Sequence, residues 1–269
     1  MIFFKLVQAE FLKTKKIPIL GLYSILVVGS IAIFFIIFYN KTFQEFVNEH
    51  LMEANPNPWY AYYFKRYLLL SVFFLPLIIS VTTYIIKNIE DKADAWKRLF
   101  VLPYSREIIH LSKLSVIWLY TTLYVVMTFS FLMLSGILLS KLKPDFNFSA
   151  HHTYHEFLFI FCLKFEVAVV SIATFSYAYM IWVKRTVVSL LLSIFLPFVG
   201  LIFPSPYSSP LYQTHTFNRS VHEMLINSQS HETLHLKVIG SHDFLCIVIM
   251  VLSFVAIVWA SKNPVVNYE

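Results

Sequence analysis

The sequence predicts an all-α membrane protein of six transmembrane helices, preceded by a short interfacial helix. Three observations carry that fold class. The chain is 58% hydrophobic and only 13% charged, about half the charged share of a soluble domain, and its mean hydropathy is +0.68. Its apolar residues fall in continuous runs of roughly the 20 residues that cross a hydrocarbon core as a helix, without the alternation of a membrane β-barrel strand. Its lysines and arginines gather between those runs, as membrane topology requires. The 269 residues therefore read as a single transmembrane domain, 1–269.

Residues 1–16 place Phe3, Val7 and Phe11 at i, i+4, i+8 on one helical face, with Lys5, Gln8, Lys15 and Lys16 largely elsewhere. That pattern predicts a helix lying in the headgroup plane. No cleavable signal peptide is expected, because the first apolar run starts after Lys16 and is too long for one. Span 1 covers about 19–39, entered through Pro18, a residue tolerated at a helix start. Trp59, Tyr60, Tyr62 and Tyr63 form an interfacial aromatic belt before span 2, about 67–86, which carries Pro76 as a kink. Span 3 covers about 114–139, span 4 about 157–183, span 5 about 186–203 and span 6 about 243–260. The tight Lys184-Arg185 turn joins spans 4 and 5. The segment 204–242 is polar and rich in histidine, and loops of that length without internal packing are uncommon.

With an inside N-terminus, the inside segments carry Lys5, Lys13, Lys15, Lys16, the basic residues of 87–113, Lys184, Arg185 and Lys262. The outside segments carry only Lys41, Lys65, Arg66, Lys141, Lys143, Arg219 and Lys237. The asymmetry predicts cytoplasmic N and C termini. It also accounts for the net charge of +6 without nucleic acid as a partner. Cys162 and Cys246 both fall in apolar runs, as small buried side chains and not as a disulfide framework.

The longest charged stretch is 87–113, KNIEDKADAWKRLFVLPYSREIIHLSK. It predicts a short interfacial helix over 90–98, a Pro-Tyr-Ser turn at 103–105 and a new helix after it. Ser105 can cap that helix, and Glu107 sits in its first turn, where the dipole favours an acid. Trp96 and the run Leu99–Leu102 set apolar anchors beside charges, a combination suited to a membrane surface or to a partner's groove. From spacing alone, both readings stand beside that of an ordinary cytoplasmic connection.

This loop resembles that of the ABC-2 type permeases, with Glu90, Trp96, Leu99, Pro103, Ser105, Arg106 and Lys113 at the matching places. The opening LVQAEFLKTKK is similar to the start of the same family, notably its peptide-antibiotic (lantibiotic) immunity and export branch, through Glu10, Lys13 and Lys15 or Lys16. Ala93-Asp94-Ala95 departs from the family's small Gly-Thr pair. The resemblance implies a permease subunit of an exporter in the bacterial inner membrane, surrounded by membrane lipid. It implies a dimer of cytoplasmic ABC ATPases and a second permease, identical or not. It implies a cytoplasmic coupling helix between spans 2 and 3, with Glu90, Asp91, Asp94, Trp96, Lys97, Arg98, Pro103, Ser105 and Arg106 as ATPase-coupling residues, and short extracellular helices between spans 5 and 6. Cargo would be amphipathic or lipid-like, with a peptide antibiotic as one candidate, which connects the chain with antibiotic resistance.

The chain itself carries no Gly-x-x-x-x-Gly-Lys-Ser/Thr phosphate loop, and Gly21, Gly29, Gly136, Gly200 and Gly240 are scattered. No cofactor is expected in it; ATP and magnesium would be held by the partner ATPase, and no catalytic residue is assigned.

Two further features bear on function. Lys164 and Glu166 lie within span 4, roughly 10–14 Å deep at helical rise, where charge is costly. They are candidates for a translocation pathway or an interface; at i and i+2 they face apart and do not pair with each other. His50, His151, His152, His155, His215, His222, His231, His235 and His242 all fall outside the membrane. No HExxH motif is present, and no metal site is assigned. A polytopic membrane enzyme using these histidines with Glu156 and Asp243 for metal or acid–base chemistry is the alternative reading. A non-transporting membrane assembly subunit is another.

Overall fold

A computed structural model describes residues 2–14, 77–89, 104–142, 155–183 and 241–262, with single positions between 19 and 32 and at 188 and 191. Among these residues all regular structure is α-helical and no strand occurs. The helices are α1 (Ile2–Thr14), α2 (Leu77–Ile89), α3 (Arg106–Leu142), α4 (His155–Trp182) and α5 (Ser241–Lys262). Most of span 1, the first half of span 2 with Pro76, nearly all of span 5 and the segment 204–240 lie outside the described residues.

α3 has 37 residues, about 55 Å at helical rise, and so extends well beyond a hydrocarbon core of about 30 Å. α3 and α4 both hold stretches long and apolar enough to cross a bilayer, Arg106–Ser135 and Phe165–Trp182. At the start of α3 the Ser105 carbonyl accepts from the Ile108 and Ile109 amides, at 3.1 and 3.3 Å. Glu107 stands in the first turn and Lys141 in the last, each complementing the helix dipole.

Side-chain rungs fix the helix directions. Between α3 and α4 the pairs are His110 with Tyr177, Trp118 with Thr174, Thr122 with Glu166 and Phe129 with Phe165. Numbers rise on one side as they fall on the other, so the two helices are antiparallel. Between α4 and α5, Ser171 donates to the Cys246 carbonyl and Trp182 stacks on Trp259. Here the numbers rise together, so α4 and α5 run parallel. Lys262 meets Glu107 at 3.4 Å. The start of α3 and the finish of α4 and α5 therefore share one end of the bundle, called here the basal end.

The polarity of the packing is that of a membrane bundle. Ser112, Thr121, Ser171, Thr174, Ser176 and Ser253 are buried, while Leu119, Val126, Leu134, Val251, Leu252 and Val255 are exposed. In lipid the outer face has no water to avoid, and small and hydroxyl residues let helices approach closely. Five buried hydroxyls are satisfied locally: Thr82, Thr83, Ser112, Thr121 and Thr174 each donate to a carbonyl three or four residues back. Two then accept from across the bundle, Thr82 from the Tyr23 hydroxyl at 2.8 Å and Thr174 from the Trp118 indole at 3.0 Å.

α1 meets the bundle along the side its periodicity picks out, with Phe3 and Val7 half-buried beside Glu10 and Thr14, which share their helical face. The buried side chains are Glu10 and Thr14, whereas Phe4, Phe11 and Leu12 are exposed. Thr14 donates to the Phe11 carbonyl, which leaves its oxygen to accept from the Tyr120 hydroxyl at 2.8 Å. The Phe11 ring stacks on Tyr120. On α3 a buried cation holds the polar member of that face, Glu10, inward.

Candidate functional site

That cation is Lys113, about two turns past the first residue of α3. Its side chain is 1% exposed, and its Nζ lies 3.0 Å from Oε2 of Glu10. Lys13, one turn along α1, lies 2.7 Å from the other oxygen, Oε1. Both carboxylate oxygens are thus engaged, one by a buried ammonium and one by a half-exposed one. An isolated charge in such a place would be expensive; a hydrogen-bonded partner is what makes burial tolerable.

The same end holds three further links between helices. His110 Nδ1 and the Tyr177 hydroxyl are 3.0 Å apart, joining α3 to α4. Glu107 and Lys262 join α3 to α5. The stacked Trp182 and Trp259 rings, with centroids 5.2 Å apart and planes at 14°, join α4 to α5. The basal end is therefore tied across α1, α3, α4 and α5 by charge and aromatic contacts, all within three turns of where α3 begins or α4 and α5 finish.

A second polar feature lies far from this end. Glu166 accepts a hydrogen bond of 2.5 Å at Oε1 from the Thr122 hydroxyl, across the α3–α4 seam. Thr122 is 16 residues from Arg106 and Glu166 is 16 residues from Trp182, about 24 Å from the basal end by either helix. Both helices thus place the pair away from the basal end, within their apolar stretches Arg106–Ser135 and Phe165–Trp182.

Of the residues singled out from the sequence, Ser105 is exposed and Arg106 half-buried at the start of α3. Glu90, Asp91, Asp94, Trp96, Lys97, Arg98 and Pro103 lie outside the described residues, as does the Lys164 side chain. So do His50, His151, His152, His215, His222, His231 and His235. Among the described residues no group of three or more histidine, cysteine or acidic side chains is placed to hold a metal. Cys162 and Cys246 are free thiols.

Sequence reasoning marked Glu10, Lys13 and Lys113 separately and did not pair them. A lysine near the start of an apolar run reads as an anchor that reaches for the headgroups, and nothing local points to an acid 103 positions earlier. It also passed over His110, Tyr177 and Thr122, whose roles arise only from the antiparallel register of α3 and α4.

A family model described as ABC-2 family transporter protein matches residues 6–200, from within α1 to beyond the end of α4. No curated protein and no solved structure matches the chain.

Proposed function

The chain belongs to the ABC-2 family of transporter proteins, and from that premise we propose that it is the membrane half of an exporter driven by ATPases on separate chains. Membership makes it a transmembrane permease subunit of an ABC transporter, a class that works with ABC ATPases. The observation that carries the rest is the family match across 87–113, a charged stretch that leads directly into the basal end. In this reading the segment Glu90–Arg98, with Asp91, Asp94, Trp96 and Lys97, docks in the ATPase, and Pro103, Ser105 and Arg106 pass its movement into α3.

The cross-links at the basal end suit that task. A displacement of α3 is handed to α1 through Glu10–Lys113, to α4 through His110–Tyr177 and to α5 through Glu107–Lys262. Two such subunits, identical or paired with a related permease, would rock between inward and outward access. ATP and magnesium would reside in the ATPases, since this chain has no phosphate loop.

Six spans fit the helix directions. α4 ends at the basal end, and α5, parallel to it, begins at the other. The chain between Trp182 and Ser241 must cross back an odd number of times, and the apolar run 186–203 supplies one crossing. With the positive-inside asymmetry, the basal end is cytoplasmic and both termini lie on the cytoplasmic side of the bacterial inner membrane. Cargo is amphipathic, in keeping with an apolar bundle that carries a few polar groups at depth.

The test is co-purification with the ATPase and its turnover in lipid. The wild-type permease should retain a nucleotide-hydrolysing subunit. Glu90→Ala and Trp96→Ala should each weaken that association about tenfold or more, the effect of truncating a docking hot spot. A permease that purifies alone, or whose ATP turnover ignores both substitutions, overturns the reading.

A further inference from the structure

We infer that Glu166 and Thr122 form a binding site for the ammonium or guanidinium group of an amphipathic cargo. The inference rests on the exporter reading and adds to it a chemical class of substrate. Its starting point is an imbalance of charge. The ion pairs among the described residues are Lys13–Glu10, Lys113–Glu10 and Lys262–Glu107, all at the basal end. Glu166, about 24 Å away along α4, has the Thr122 hydroxyl as its partner and no cation among those residues. A carboxylate at membrane depth is costly, and a cation is one of the two partners, beside a proton, that relieve that cost.

The surroundings set the kind of ligand. Glu166 is half-buried and Thr122 exposed, so the carboxylate lies at the seam's outer edge and not in the core. One turn either side on α3 stand Leu119 and Val126, and on α4 Leu163 and Phe159 lie on the same side as Glu166; all four are exposed. A single acid and a hydroxyl within an apolar collar match an apolar body bearing one cationic head. The Thr122 bond occupies Oε1 and holds the carboxylate in one orientation, while a carboxylate's remaining lone pairs accept from an ammonium in a charge-assisted bond. The basic residue within the spans of the sequence is Lys164, so a second copy of the chain is the competing source of the cation.

Full-length permease in nanodiscs, without nucleotide, is equilibrated with radiolabelled dodecylammonium and, separately, with dodecanol of equal chain length. Empty nanodiscs give the lipid background. Wild-type protein is expected to hold dodecylammonium at least about tenfold better than dodecanol, the order of one charge-assisted hydrogen bond. Glu166→Gln should abolish the preference, Glu166→Asp should keep it, and Thr122→Val should weaken but not remove it. A wild-type protein with no preference for the cation overturns the proposal, whether or not Glu166→Gln folds. So does Glu166→Gln binding dodecylammonium as wild type does. A preference absent from wild type and present only in Lys164→Met assigns the cation to a neighbouring copy, and overturns it too. Since no ATPase takes part, this outcome is independent of the co-purification that tests the exporter reading.

Discussion

Glu10 is the residue on which the basal end turns. It meets a cation on each oxygen, and the two are not equivalent. Lys113 has no water to fall back on, whereas Lys13 is half-exposed and can trade its partner for solvent. Removing one member of a buried pair strands the other, at a cost of about 3–5 kcal/mol, while replacing both by uncharged groups of similar size is far less harmful. Glu10→Gln should therefore destabilise the protein by about 3 kcal/mol or more. Lys13→Ala should cost less than about 1 kcal/mol. Glu10→Gln combined with Lys113→Met should recover much of the single-substitution loss. Thermal unfolding in detergent, arranged as a double-mutant cycle, reads the coupling directly; losses that simply add would show that the pair does not act as a unit. Sequence alone marked these residues because each stood at a family position. Their partnership was not legible, because a contact across 103 positions is fixed by how α1 lies on α3.

At the scale of the helices, what was legible is what depends on local chemistry. The Pro-Tyr-Ser turn foretells a new helix, and α3 does begin at Arg106 behind Ser105. The face of α1 was legible in part. Periodicity groups Phe3, Val7 and Phe11, and in water such a stripe would pack inward. Beside lipid an apolar stripe has two acceptable neighbours, membrane and protein, and only tertiary contacts choose between them. Here the stripe faces protein in company with polar residues: Phe3 and Val7 are half-buried beside buried Glu10 and Thr14, and Phe11 stacks on Tyr120. The α4–α5 contact shows a comparable choice: Trp182 and Trp259 stack on each other although both remain about half exposed. Aromatic pairs contribute about 0.5–1.5 kcal/mol beyond their area. Trp182→Ala and Trp259→Ala should each lower the melting temperature, and the double variant should fall short of their sum by that amount. Full additivity would mean that each ring acts through lipid or headgroups alone.

For the whole molecule, the distribution of polarity and the direction of the helices reinforce each other. Hydroxyls inside and aliphatic side chains outside identify the medium, and parallel α4 and α5 agree with the proposed six-span topology. The Glu107–Lys262 contact adds a stringent condition, since residues on opposite sides of a bilayer core about 30 Å thick cannot approach to ion-pair distance. Positions near 105 and 262 must therefore share one side, which the proposed orientation makes the cytoplasmic one. In a Cys162→Ala/Cys246→Ala background, Ser105→Cys and Lys262→Cys should react with a membrane-impermeant maleimide in inside-out vesicles and stay unlabelled in intact cells. Ser149→Cys and Gln229→Cys should behave the opposite way. Labelling of 105 and 262 from opposite sides would break the bundle register itself. Labelling of both from outside would keep the bundle but turn it over, and would leave the 87–113 stretch out of reach of any cytoplasmic ATPase. The two failures point to different errors, one in the packing of α3 against α5 and the other in the reading of charge, so the four positions together test the fold and its orientation separately.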